Sequence, residues 1–432
     1  MQNDFNNNPL NQNSVPPINQ TGGTNYQAPP QNFAPNYPQN GGQNGGYTGG
    51  YYYQPPPIYI PPLQSQNYGV YGNPPMYYGQ GYPPQNAPVY YGYPPTYPPP
   101  VQVVLPPPLT PEQIALKNEK KVFKSTANRI GLGLIIFYIF TFAFSFLLGL
   151  IGSFKNEILT FVAEPSVTLM LNILLTFVGF IGAALFIFKT EGAKPHKLLS
   201  YGLPQRGKFL AAVMVGMGFC YTANVAVTLL QSRLEGILPF AQTEVQMPDG
   251  ILGFLLAVLS VAAAPALFEE FLFRGAIMGS LLKYGKAFAI FTSSIIFGLI
   301  HGNLVQIPFA FMVGLVLGFV ALETNSIWTS VIIHFLNNLL SVCLEYVGKL
   351  VPEEILNGAY IILLGLIIMV GFIGFYLLSR KNENLFDFNK SMHISSSKQR
   401  FGWFSSSAAI IIFYVITGLE VFAEQLMAGA QL

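Results

Sequence analysis

The chain is poor in charged residues. Of its 432 residues only 9% are Asp, Glu, Lys or Arg, whereas soluble domains carry about a quarter. This scarcity argues against an ordinary soluble enzyme. Because 51% of the residues are hydrophobic and the mean hydropathy is +0.42, the composition indicates a membrane protein. The net charge of +2 is too close to neutral to favour nucleic-acid binding.

Cysteine is almost absent as well. The two cysteines, Cys220 and Cys343, both lie inside apolar stretches. A pair in this setting provides neither a disulfide framework nor a cysteine-based metal site.

Residues 1–108 contain a single charged side chain, Asp4, and are rich in Pro, Gln, Asn, Gly and Tyr. Such a composition cannot bury enough apolar surface to offset a backbone ordering entropy of about 1–2 kcal/mol per residue. We therefore predict a disordered N-terminal tail. Three Pro-Pro-x-Tyr stretches, which end at Tyr59, Tyr77 and Tyr97, make the tail a candidate for binding other proteins. Chance explains them more readily in a segment so rich in Pro and Tyr.

Long apolar runs fill the rest of the chain. A bilayer span requires about 20 mostly apolar residues, and these runs predict an all-α polytopic membrane protein with about eight transmembrane helices. A ninth stretch, 408–423, has acidic residues near its end and either spans or lies at the interface. The eight predicted spans are 130–152, 165–188, 209–230, 250–270, 286–303, 304–322, 326–348 and 358–379.

Basic residues between the spans predict their orientation. A cluster from Lys117 to Arg129 precedes the first span and places the N-terminal tail in the cytoplasm. Basic residues then recur in alternate connections, up to Arg380 and Lys381 after the eighth span. The prediction is an integral, multi-pass protein in the lipid bilayer, with both ends of the eight-helix body in the cytoplasm.

Ionisable side chains are expensive inside a membrane and indicate function by default. Glu269, Glu270 and Arg274 come at the end of the fourth predicted span. Glu270 and Arg274 are four residues apart, so they lie on one helical face and can pair. Glu269 points about 100° away and has no partner on its own helix, which suits a general base.

Two of the four histidines also fall within predicted spans. His301 ends the stretch Phe297-Gly298-Leu299-Ile300-His301, and His334 shares one helical face with Asn338. A single intramembrane histidine commonly bonds one helix to another. Two of them beside the paired carboxylates favour a chemical role instead.

This set of groups can hydrolyse a peptide bond. Glu269 would take a proton from a water held by one imidazole, while Asn338 and the other imidazole would stabilise the oxyanion. Glu269, His301 and His334 would also provide the minimum ligand set for a catalytic zinc ion. The spacing is not His-Glu-x-x-His, and no Gly-x-Ser-x-Gly motif lies near the histidines.

The ordered motifs Glu-Glu-x-x-x-Arg, Phe-x-x-x-His and His-x-x-x-Asn resemble those of the CAAX-processing and bacteriocin-processing intramembrane endopeptidases, also called the CPBP or Abi family. The resemblance covers about residues 205–350 and implies a membrane-embedded peptidase that cleaves a peptide or protein at the membrane. It implies catalytic roles for six residues, with Glu269 activating the water. These residues are Glu269, Glu270, Arg274, His301, His334 and Asn338.

Further properties follow from the resemblance. Members are commonly called metalloproteases, so zinc is a candidate cofactor, and a metal-free glutamate mechanism stays open. The substrate would be a CAAX-type C-terminus or a bacteriocin-like peptide, and a bacterial plasma membrane is the expected location. The chain then divides into the tail, N-terminal transmembrane helices over 109–204, a protease core over 205–350, and a C-terminal helix and tail over 351–432.

Two other functions compete with hydrolysis. The body could anchor a non-catalytic scaffold that acts through the tail, in which case Glu269 would tolerate substitution. A transporter would require polar residues along a path or broken helices in two corresponding halves, whereas the sequence has one polar cluster and no internal repeat.

The predicted spans leave one geometric conflict. If 286–303 crosses the membrane outwards, His301 lies near the outer leaflet while Glu269 lies nearer the cytoplasm. Either Pro265 bends the fourth helix, or the stretch after Arg274 dips back into the protein, as non-helical backbone can where it lines a cavity.

Overall fold

The computed structural model describes residues 108–154, 156–192, 201–234, 246–381, 385 and 393–430. These residues belong to one compact unit, Pro100–Leu432. The predicted disordered tail, with its Pro-Pro-x-Tyr stretches, lies outside the described residues except for Pro108.

The described part of the chain is helical and contains no β-strand, which confirms the predicted all-α class. The helices are α1 (Pro111–Phe154), α2 (Asn156–Ala163), α3 (Pro165–Glu191), α4 (Arg206–Leu234), α5 (Gly250–Tyr284), α6 (Lys286–Leu299), α7 (Gln306–Glu323), α8 (Ile327–Gly348), α9 (Glu353–Lys381), α10 (Ser397–Ser405) and α11 (Ala408–Ala430).

Local sequence signals account for several helix ends. Thr110 and Gln113 form a reciprocal capping pair before α1, and Ser396 and Gln399 do the same before α10. Gly192 terminates α3 in the left-handed conformation (φ +63°) that glycine adopts without strain.

Among the described residues, eight helices are long and apolar enough to cross a membrane, which confirms the predicted number. The eight differ from the predicted set by one exchange. The stretch predicted as the span 286–303 forms only the 14-residue α6, about 21 Å long at 1.5 Å per residue. The uncertain stretch 408–423 belongs to the longer α11, which qualifies as a span.

Contacts at the helix ends define two sides of the bundle. We call the side where α1 begins the near side, and there Glu191 at the end of α3 pairs with Arg129 of α1 (3.0 Å) and Lys283 of α5 (2.9 Å). On the opposite, far side, Lys349 after α8 donates to the Met247 carbonyl before α5 (2.9 Å).

Helices α6 and α7 form a hairpin whose two ends lie on the near side. Lys286 begins α6 directly after Tyr284 and Gly285. After α7 ends, the Ser326 hydroxyl donates to the Gly202 carbonyl before α4 (2.6 Å). The turn between the two helices, residues 300–305, therefore lies away from the near side. Of the two spans predicted over 286–322, the second corresponds to α7, which is long and apolar enough to cross a membrane, and the first is wrong because α6 is too short.

Glycines allow the two helices of the hairpin to pack closely. A Cβ atom on Gly298 of α6 would lie 2.8 Å from the Ile307 carbonyl oxygen of α7. Gly314 and Gly318 of α7 face Ser294 and Ile290 of α6. The Gly-x-x-x-Gly pair thus serves internal packing.

Helix α11 runs parallel to α1. It begins beside α1, where the Ala409 amide donates to the Asn128 side chain (3.1 Å), and further along Tyr138 donates to Glu420 (2.9 Å). Because the two helices share a direction, α11 ends on the far side. The two ends of the predicted body, at the start of α1 and at Lys381, lie on one side of the bundle, and α11, which the sequence left open as a span, ends on the other side.

Candidate active site

Helix α5 departs from regular α-helical geometry on both sides of the paired glutamates. Residues Val258–Ala263 and Phe271–Met278 form π-helical segments around the short α-helical stretch Ala264–Glu270. Pro265 contributes because it has no backbone N–H and so removes one helical hydrogen bond from the preceding turn. Such π segments occur frequently at functional sites.

Glu270 and Arg274 form a fully buried ion pair. Arg274 Nη1 donates to Glu270 Oε1 at 2.8 Å, and the two residues are 1% and 0% exposed. The other terminal nitrogen, Nη2, donates to the Gly314 carbonyl of α7 (3.2 Å). Arg274 therefore joins α5 to the hairpin while it neutralises Glu270.

His334 lies between the two glutamates. Its Nδ1 is 3.1 Å from Glu270 Oε1, and its Nε2 is 4.0 Å from Glu269 Oε2. Because a carboxylate only accepts, Nδ1 carries the proton towards Glu270, and Nε2 of the neutral ring is left as an acceptor facing Glu269. The Glu269 Oε2 atom is buried and has no hydrogen-bond partner within the described residues.

Phe297 connects the other members of the site. Its ring lies edge-on to His301 and to His334, with centroids 5.1 Å and 5.9 Å apart, and the Arg274 guanidinium lies 4.5 Å from its centroid. The His301 Nδ1 atom is 2.7 Å from the Phe297 carbonyl oxygen, so it donates that proton and leaves Nε2 free. His301 is also close enough to Glu269 to interact with it electrostatically.

Asn338 contacts the backbone of α5. Its Nδ2 donates to the Val261 carbonyl (3.1 Å), which belongs to the π-helical turn before Pro265. Asn337 donates in turn to Asn338 Oδ1 (3.1 Å). Asn338 thereby provides a donor where the α5 backbone is irregular, and the second Nδ2 hydrogen is left for another acceptor.

The predicted zinc ligands Glu269, His301 and His334 have donor atoms of the right kind for a metal site, but they are not clustered closely enough to form one. Both imidazoles hold Nδ1 in a hydrogen bond and leave Nε2 free, as metal-binding histidines do. Across the described ranges, however, no three His, Cys, Asp or Glu side chains lie together as a group that could hold a metal ion. We therefore derive no catalytic step through a metal.

The structure brings the predicted residues together from two helices and one turn. Glu269, Glu270 and Arg274 come from α5, His334 and Asn338 from α8, and His301 from the turn of the hairpin. The conflict over the depth of His301 disappears because α5 continues beyond the predicted span to Tyr284. Glu269 lies 15 residues before that near end, and His301 lies 15 residues after Lys286, where α6 begins.

Three contributors were not predicted. The Phe297 ring and the carbonyls of Gly314 and Val261 contact site residues. Pro265 was the available signal for Val261, because a proline in a helix weakens the backbone hydrogen bonding of the preceding turn.

Comparison with known proteins supports a membrane peptidase. Residues 251–340 match the family model described as Rce1-like: Type II CAAX prenyl endopeptidase Rce1-like. The match is consistent with the CPBP family and covers α5 to most of α8, the segment that carries all six predicted site residues. No curated protein and no solved structure matches the chain.

Proposed function

We propose that the protein is an intramembrane endopeptidase that hydrolyses a peptide bond with a water molecule activated by Glu269. One observation carries the proposal: the buried, unpartnered Glu269 Oε2 lies 4.0 Å from the free Nε2 of His334. This distance exceeds a direct hydrogen bond and suits two groups that share one water.

In the proposed reaction, the water donates one hydrogen to Glu269 Oε2 and the other to His334 Nε2. Its oxygen lone pair is then directed at the substrate carbonyl carbon. Glu269 takes the first proton as the new C–O bond forms, and His334 keeps the water in place. The bond from His334 Nδ1 to Glu270 holds the imidazole in the required tautomer.

The oxyanion that develops on the carbonyl needs hydrogen-bond donors. Asn338 offers its second Nδ2 hydrogen. His301 can donate from Nε2 only as an imidazolium, because its Nδ1 proton is engaged with the Phe297 carbonyl.

Collapse of the tetrahedral intermediate completes the reaction. The peptide C–N bond breaks, and the protonated Glu269 transfers its proton to the departing amine. Glu270 and Arg274 do not contact the reacting atoms in this scheme. Their buried ion pair fixes α5 against the hairpin, and Glu270 orients His334.

The first substrate class to test is a CAAX-type C-terminal peptide, since the matched family is described as a type II CAAX prenyl endopeptidase. A bacteriocin-like peptide is the second class. The peptide bond would reach the site from the near side or laterally from the lipid. We further propose that the near side is cytoplasmic, since the basic cluster from Lys117 to Arg129 belongs to it.

Terminal proteomics of membranes tests the proposal. Wild-type protein and the Glu269→Ala variant are expressed at equal levels, and peptide termini that depend on the wild type are identified. We expect such termini to disappear with Glu269→Ala, because Glu269 is the carboxylate that lies 4.0 Å from His334 Nε2, where the attacking water would sit.

Glu345→Gln is the matched control, since it changes a glutamate of α8 about 16 Å along the helix from His334. It should retain every wild-type terminus. Identical termini in wild type and Glu269→Ala, with both proteins folded, would disprove hydrolysis and favour the scaffold function.

A further inference from the structure

Two carboxylates lie at membrane depth on α11, a helix outside the matched segment 251–340. Counted from Ala408 on the near side, Glu420 and Glu424 are about 18 Å and 24 Å along the helix. His301 is about 22 Å from Lys286 by the same measure. The acidic groups of α11 therefore lie level with the turn that carries His301.

Glu424 bonds directly to that turn. Asn303 Nδ2 donates to Glu424 Oε1 at 2.6 Å, and Asn303 is only 7% exposed. The other side-chain atom of Asn303, Oδ1, accepts from the backbone amides of Val305 (2.8 Å) and Gln306 (3.1 Å). One amide thus caps the start of α7 and links it to α11.

Glu420 contacts the same turn one residue earlier. Its Oε2 accepts from the Tyr138 hydroxyl of α1 (2.9 Å). Its carboxyl group lies against Gly302, where a Cβ atom would be 2.7 Å from Glu420 Cδ. Gly302 has a left-handed backbone (φ +62°), so this contact joins a glycine-dependent bend to a side chain that α1 holds in place.

These contacts are not a by-product of close packing along α6 and α11. A cavity of about 360 Å³ separates the two helices, and Ile295 and Leu299 of α6 line it opposite Tyr414, Gly418 and Val421 of α11. Between the hairpin and α11, the hydrogen bond of Asn303 and the close approach at Gly302 both lie next to His301.

We propose that Glu424 and Glu420 are positioning residues that hold the turn of the hairpin so that His301 faces Glu269. The inference rests on the proposed peptidase function and adds α11 to its machinery. His301 has no helix of its own beyond Leu299, so the geometry of its backbone depends on what restrains residues 302 and 303. Ionisable groups at this depth are retained where they serve such a role.

Hydrogen exchange measures the positioning without any substrate. In detergent, Glu424→Leu should raise amide exchange over residues 300–306 and leave α8 unchanged. Glu424→Gln should behave as wild type, because the glutamine carbonyl still accepts from Asn303. Gln425→Leu is the matched control: this neighbouring polar residue has no partner at Oε1.

Turnover then tests whether the position matters for catalysis, with a synthetic peptide that spans a cleavage site found with wild-type membranes. Glu424→Leu should lower kcat by about 10- to 100-fold with little change in KM, and Gln425→Leu should not. Asn303→Asp should lower kcat by a similar factor, because it places a second carboxylate opposite that of Glu424. Combining it with Glu424→Gln should restore turnover, since the hydrogen bond re-forms with its direction reversed.

The exchange and turnover experiments together distinguish the positioning role of α11 from the proposed peptidase function. Equal exchange over 300–306 in Glu424→Leu and Gln425→Leu would overturn the positioning role. The positioning role would also be overturned if Glu424→Leu raised exchange over 300–306 without lowering turnover, in a protein whose turnover Glu269→Ala abolishes. If wild-type protein cleaves nothing, the peptidase function fails, and the exchange arm still decides whether α11 holds the turn.

Discussion

The guanidinium of Arg274 lies 4.5 Å from the centroid of the Phe297 ring, and the edge of the same ring meets both imidazoles of the site. Arg274 is on α5 and Phe297 is on α6, so this contact fixes the glutamate-bearing helix against the hairpin. A cation over an aromatic face contributes about 2 kcal/mol or more when both groups are desolvated.

Replacing Phe297 should therefore disturb the chemistry more than the fold. We expect Phe297→Leu to lower turnover by about 10- to 100-fold, because His301 and Arg274 lose a shared surface and shift relative to Glu269. Phe291→Leu on the same helix is the control, since Phe291 is 46% exposed and touches Phe311 and Phe401 instead. Equal activity of the two variants would refute this role.

Arg274 should be the most important residue of the site for stability. Arg274→Ala leaves the carboxylate of Glu270 buried without its cation and should destabilise the fold by about 3–5 kcal/mol. Thermal unfolding in detergent measures the loss. Adding Glu270→Gln should recover part of it, whereas Lys349→Ala, which removes an exposed pair with Asp249, should change stability by about 0–1 kcal/mol.

Asn338 should contribute to the structure of α5 as well as to catalysis. Asn338→Leu leaves the Val261 carbonyl without its donor and should reduce stability by about 1–3 kcal/mol. Denaturation monitored by circular dichroism gives the value, with Ser341→Ala as a control on the same helix. An unchanged midpoint for Asn338→Leu would mean that the bond to Val261 adds nothing.

Gly302 combines two constraints that a pair of variants can separate. Gly302→Ala introduces left-handed strain of about 1–2 kcal/mol and a steric clash with Glu420. Gly192→Ala has the same backbone problem (φ +63°) with no atom within 4 Å of the new Cβ. We expect the larger loss of thermal stability at Gly302, and Glu420→Ala should relieve the excess. Similar losses at both glycines would show that the clash has no effect.

Chelation tests the metal question. Because the described residues provide no three-donor group, we expect cleavage to continue after dialysis against 1,10-phenanthroline, with metal content followed by mass spectrometry. Activity that is lost on chelation and recovered with zinc would contradict this expectation. Glu269, His301 and His334 would then be the ligands to examine.

Much of the site could be predicted from the sequence because its signals are local. Intramembrane charge is so unfavourable that Glu269, Glu270 and Arg274 stand out in an apolar span, and a spacing of four residues predicts the Glu270–Arg274 pair that the structure contains. His334 and Asn338 share a helical face for the same reason.

The hairpin could not be predicted in this way. Hydropathy measures how apolar a stretch is but not where its ends lie, so the short α6 resembled a span, and α11, with its two glutamates, stayed open between a span and an interfacial helix. What distinguishes them is tertiary: α11 places Glu420 and Glu424 against Gly302 and Asn303, where buried partners accommodate them.

The sequence by itself determined the all-helical membrane body, the number of long apolar helices and the residue types available for chemistry, because these depend on composition and on helical periodicity. Only the tertiary structure decided that His301 lies close enough to Glu269 to interact with it electrostatically, and that His334 presents Nε2 to that glutamate and Nδ1 to Glu270. The position of His301 depends on the direction in which α6 and α7 enter the bundle, which long-range contacts at the Ser326–Gly202 and Arg274–Gly314 pairs set. The position of His334 depends on the packing of α8 against α5, which no local sequence signal specifies.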